Sequence, residues 1–127
     1  MIIINKGTRS TVRMAIYNNY TIRTPINLSQ FLDIICIVLD NGRLLIEKKL
    51  STNQVFTEKF DTYDYDSIIR IVFESKDTID LNISPSSEER IREFQVVGID
   101  RKTGQPVLIY KDQFYLEGSG YYVKSVL

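Results

Sequence analysis

Residues 31–50 constrain the fold more than any other part of the sequence. Phe31 to Asp40 is an almost unbroken apolar run rich in isoleucine, and Asn41-Gly42 follows it directly. Over so short a stretch an apolar run suits either a central strand or a buried helix. The dipeptide favours the strand, because Asn-Gly supplies the two positive φ angles of a type I′ hairpin turn. A two-residue loop pairs Leu39 with Leu44, Ile37 with Ile46 and Ile35 with Lys48. One face is therefore expected to gather Ile35, Ile37, Leu39, Leu44 and Ile46.

The remaining periodicity is also that of strands. Between Arg9 and Tyr17, Val12, Met14 and Ile16 alternate with Thr11, Arg13 and Ala15. Ile69, Ile71 and Phe73 alternate with Arg70 and Glu74, and Ile79, Leu81 and Ile83 with Asp80 and Asn82. Each set presents one apolar face at period two. Tyr20 to Leu28 contains Pro25 and reads as an extended connection. Phe94 to Ile99 and Val107 to Leu116 form a last pair, joined by a loop in which Gly104 predicts a bulge-closed hairpin. Ser84-Pro85 opens a helical turn expected over 85–91, with serine as N-cap, proline at the first position and Glu88 and Glu89 complementing the helix dipole. Together these predict an all-β sandwich of seven to eight strands over residues 1–117. Residues 118–127 form a Gly-Ser-Gly break and an apolar tail.

The chain contains no histidine, which removes the commonest general acid/base and metal ligand and excludes Ser-His-Asp and Cys-His arrangements. Its single cysteine, Cys36, lies in the apolar run and reads as a small buried hydrophobe rather than a nucleophile. None of the six glycines builds a phosphate-binding loop. No carboxylate pair stands out by context, so the expectation is a protein that is not an enzyme and needs no metal or cofactor. Asp61, Asp64 and Asp66 offer hard oxygen ligands of the kind calcium prefers, without the glycine and closing glutamate of an EF-hand; an exposed loop is the plainer reading. Sixteen basic residues balance sixteen acidic ones, and without a basic excess nucleic acid is not an expected partner. Arg43, Lys48 and Lys49 read as a solvated strand surface. The N-terminus lacks the charged region and long apolar stretch of a secretory signal, and no run has the length of a membrane span, so a cytoplasmic site of synthesis is expected.

Two features point towards binding. Tyrosine occurs eight times, with Tyr63 and Tyr65 alternating in the acidic loop and Tyr121-Tyr122 in the tail. Aromatic rings with a polar tip suit interfaces and sugar stacking, although partial burial at sheet edges is the simpler reading. The tail places Tyr121, Tyr122, Val123, Val126 and Leu127 after a flexible break, as an arm for a neighbour's sheet edge or as a segment folded back on its own domain.

One resemblance draws these features together. Gly7-Thr8 leads into an alternating strand, Pro25-Ile26-Asn27-Leu28-Ser29 precedes the apolar strand and its Asn41-Gly42 turn, and Ser84-Pro85 leads to Phe94-Gln95-Val96-Val97-Gly98-Ile99-Asp100 and a closing strand through Phe114-Tyr115-Leu116. This order resembles the immunoglobulin-like N-terminal domain of phage baseplate upper proteins and similar small virion domains. The resemblance implies a non-enzymatic structural or adaptor subunit of a tailed-phage virion, in baseplate, neck, tail or head decoration. Such a subunit would be assembled in the host cytoplasm through sheet edges and terminal arms, with copies of itself and other virion proteins as partners. The alternative expectation is a carbohydrate-binding β-sandwich module using exposed tyrosines.

Overall fold

Asn41 and Gly42 adopt φ of 53° and 82°, the left-handed pair that a type I′ turn requires. In the computed structural model, which describes residues 1–19, 24–79, 81 and 91–117, this turn joins β5 (Phe31–Asp40) to β6 (Arg43–Lys49). The other strands are β1 (Ile2–Asn5), β2 (Ser10–Ala15), β3 (Tyr17–Asn19), β4 (Thr24–Pro25), β7 (Val55–Lys59), β8 (Asp66–Phe73), β9 (Ile91–Asp100) and β10 (Pro106–Glu117). A five-stranded sheet runs β1-β10-β9-β5-β6, a three-stranded sheet β2-β8-β7, and β3 pairs with β4. All pairings are antiparallel except that of β1 with β10. The domain is all-β, as the periodicity predicts.

The five- and three-stranded sheets bury their facing sides in one core. Phe73 of β8 and Phe114 of β10 meet across it edge to face, with ring centroids 5.5 Å apart. Met14 and Ile16, and Ile69, Ile71 and Phe73, are buried as their alternation requires. The closing hairpin also follows expectation. Asp100 N–H donates to the Gln105 carbonyl and Gly104 N–H to that of Asp100, with Gly104 at φ 71°.

Three expectations are corrected. Leu39 does face Leu44, but one extra residue, Leu45, then shifts the register, so Val38 faces Ile46 and Cys36 faces Lys48. A single-residue bulge exchanges the two faces of a strand. The core takes Ile34, Cys36 and Val38 of β5, and the bulge in β6 brings Ile46 to their side, whereas Ile35, Ile37 and Leu39 point away from it. Lys48 accordingly is buried rather than solvated.

Ile79 belongs to no strand. It ends a short helix, α1 (Ser75–Ile79), whose Asp77 carboxylate reaches back to the Glu74 N–H at 2.6 Å. That bond, one half of a capping box, stabilises the first helical turn. Ile91, expected to end a helical turn, instead begins β9. Residues 82–90, which hold Ile83 and the rest of the expected turn, and the tail 118–127 lie outside the described residues.

Candidate functional site

The tyrosines singled out in the acidic loop lie between β7 and β8. Asp61 takes φ 52° there, and Tyr63 N–H donates to the Phe60 carbonyl at 3.1 Å. The left-handed residue turns the chain sharply enough to bring Phe60 and Tyr63 together, their centroids 6.0 Å apart. Tyr63 in turn meets Tyr65 at 5.5 Å, and Phe60 meets Tyr17 edge-on at 6.0 Å. Four rings thus form a continuous chain.

Tyr17 reaches the loop because β3 and β4 are tied to the three-stranded sheet. The Ile16 carbonyl accepts from the Ile26 N–H at 3.0 Å and from the Ser67 hydroxyl at 2.9 Å. Tyr65 donates its hydroxyl to the Pro25 carbonyl at 3.0 Å, fixing its ring. Tyr63 is the outermost ring, 40% exposed, and Asp61, Thr62 and Asp64 beside it are exposed as well. The result is an aromatic surface edged by hydrogen-bonding side chains, anchored at both ends to regular structure. Asp66 is not part of that edge, since its carboxylate accepts from the Thr57 hydroxyl at 2.6 Å. Among the described residues no three acidic or cysteine side chains gather in a metal-binding arrangement.

Sequence reading finds Tyr63 and Tyr65 but misses Phe60 and Tyr17. Phe60 stands three residues before Tyr63, a spacing with no meaning until the turn is known. Tyr17 arrives by long-range packing. The tail residues Tyr121, Tyr122, Val123, Val126 and Leu127 lie outside the described residues.

Elsewhere, Cys36 is buried and its thiol is pushed up to about 12 by burial, so the thiolate a nucleophile needs is suppressed near neutral pH. On the five-stranded sheet the Gln95 amide, donating at 2.7 Å, and Lys111, at 3.1 Å, hold the Glu93 carboxyl below its ordinary value. A depressed carboxyl stabilises the fold above its ordinary titration range and loses that effect as pH falls through the lowered value. Lys111→Ala is expected to raise the Glu93 titration midpoint towards its usual position in a carbon-detected NMR titration; an unchanged midpoint would leave Lys111 without influence on it.

Comparison of the chain with protein-family models, with curated proteins and with solved structures found no match.

Proposed function

We propose that this chain is a non-catalytic binding module, an immunoglobulin-like β-sandwich that uses the Tyr17–Phe60–Tyr63–Tyr65 surface to hold carbohydrate. The observation carrying the reading is that chain of four neighbouring rings, in which Tyr63 is the most exposed. The electron-rich face of an aromatic ring attracts the weakly positive C–H groups on one side of a pyranose. Asp61, Thr62 and Asp64 supply acceptors, and Thr62 a donor, for the hydroxyls that ring that apolar side. The sandwich assignment draws on the strand order, since β10-β9-β5-β6 facing β2-β8-β7 matches the two layers of a variable-type immunoglobulin domain. Neither the inter-sheet disulfide nor the core tryptophan of antibody domains is available, as the chain has one cysteine and no tryptophan.

A glycan array on the purified protein, followed by calorimetry with the best binder, tests the ligand class. Tyr63→Ala is expected to weaken binding about tenfold, equivalent to about 1.4 kcal/mol, with Tm unchanged because the side chain is partly in solvent. An array blank across neutral and acidic glycans would sink the reading.

The second reading, a structural or adaptor subunit of a tailed-phage virion, draws support from a different observation. Strand β1 forms an edge of the five-stranded sheet and exposes Ile3, 56% accessible, and such an edge suits strand addition. Copurification of the full-length chain with portal, capsid or tail proteins from infected cells would favour this reading over the first.

A further inference from the structure

The register that removes Ile35, Ile37 and Leu39 from the core places them on the outer side of the five-stranded sheet. Cross-strand pairing aligns Ile35 with Val97, and Val97 with Leu108 on the next strand. Leu39 faces Leu44, and Ile99 faces Pro106. Ile35, Ile37, Leu39, Val97 and Ile99 are half-buried by one another and by their sheet neighbours; none packs against the core cluster. Leu108 and Leu44 are 53% and 51% exposed. Strand β5 is therefore apolar on both faces, the pattern of a strand covered on both sides, while among the described residues the three-stranded sheet covers only one. A contiguous apolar patch on a sheet face marks an interaction surface.

We propose that the outer face of the five-stranded sheet is a homodimer interface, covered by the same face of a second copy of this chain. Three observations select that occupant. The first is size. Ten-residue strands β5 and β9 rise about 3.3 Å per residue, and four strands at about 4.8 Å spacing make a face of roughly 600 Å². Two such faces bury about 1,200 Å² in total, which reaches the range of specific protein interfaces.

The second is the charge pattern at the rim. A two-fold axis lying along the strands between β5 and β9 sets Ile35 opposite Val97 of the second copy. The same axis sets Lys111, on β10, opposite Glu47 of the second copy, on β6, each adding to the partner it already holds within its own chain, Glu93 at 3.1 Å and Lys49 at 3.6 Å. Lys111 and Glu47 occupy the row of Ile37 and Gln95, at the two sides of the face. An isologous interface makes every such contact twice. The third is the formal net charge of zero, which leaves no overall repulsion between copies. A membrane surface would call for a basic rim, whereas this one carries both signs.

The proposal is independent of the ligand reading, because the aromatic surface belongs to the β7–β8 loop of the other sheet. Sedimentation velocity on the full chain, from low micromolar to several hundred micromolar, is expected to show a monomer–dimer equilibrium. Glu47→Lys and Lys111→Glu should each weaken association at least about tenfold, and the double reversal should restore it, since like charges then become opposite again. Ile37→Glu, which leaves the core untouched, should give a monomer with an unchanged Tm. A wild-type monomer throughout the concentration range overturns the proposal, including the case where exchange-protected outer-face amides reveal cover by residues 118–127. Single reversals without effect on association overturn it equally.

Discussion

Replacing Gly98 by alanine is expected to destabilise the domain by about 1–3 kcal/mol, the usual range for forcing extra volume into a packed core. Gly98 lies within β9, paired with Ile34 and Val107. A Cβ there would stand 2.5 Å from Phe31 Cδ1 and 2.7 Å from both Cγ and Cε1. Cγ is the base of the ring, so a rotation of its far end does not relieve the clash; the whole buried ring must move. On chain entropy alone the sign would be opposite, because Gly→Ala at a compatible backbone position stabilises by about 0.4–1 kcal/mol. Steric conflict outweighs that gain. For a domain of this size each kcal/mol lowers Tm by roughly 4 °C, and Gly98→Val should fall further than Gly98→Ala. The cause is isolated by a double-mutant cycle with Phe31→Leu. If the ring is the obstacle, Gly98→Ala is much less harmful once Phe31→Leu is in place; strict additivity would refute it.

The same packing shows what the sequence could and could not convey. Strands β2 and β8 were legible because Thr11 and Arg13 on one and Asp66 and Arg70 on the other mark the side opposite the core, so alternation assigned the buried side of Met14, Ile16, Ile69, Ile71 and Phe73, although Ile68 and Val72 share the outer face of β8. The β5–β6 turn was legible because Asn41-Gly42 encodes a backbone conformation directly. The buried face of β5 was not, since both of its faces are apolar, and the side taken by Ile46 and Lys48 depends on Leu45, one residue of β6 that bulges. Helix α1 was hidden for a related reason. The alternation of Ile79, Leu81 and Ile83 imitates a strand, and the residue at the helix N-cap, Glu74, is not one of the usual capping types. The aromatic surface was half legible, with Tyr63 and Tyr65 visible locally and Tyr17 supplied by tertiary packing.

Asp77→Ala is expected to cost about 3–5 kcal/mol, the range seen when a buried ion pair loses one partner. Asp77 Oδ2 lies 2.6 Å from Lys48 Nζ and also accepts the Glu74 N–H at 2.6 Å. The Lys48 side chain is only 7% exposed and that of Asp77 16%. Truncation therefore strands an ammonium in a poorly hydrated site and uncaps α1 in one step. The penalty arises from the orphaned charge more than from the attraction lost, and this yields an asymmetry. Lys48→Met removes the charge, keeps the stem's volume and leaves Asp77 its bond to Glu74; its effect should be much smaller than that of Asp77→Ala. Asp77→Asn keeps an acceptor for the Glu74 N–H without neutralising Lys48, and should fall between them. In urea titrations the combined Lys48→Met and Asp77→Ala variant should be more stable than Asp77→Ala alone. A combined variant that is less stable than the Asp77→Ala protein would mean that the lysine stem, rather than its charge, dominates the energetics of this site.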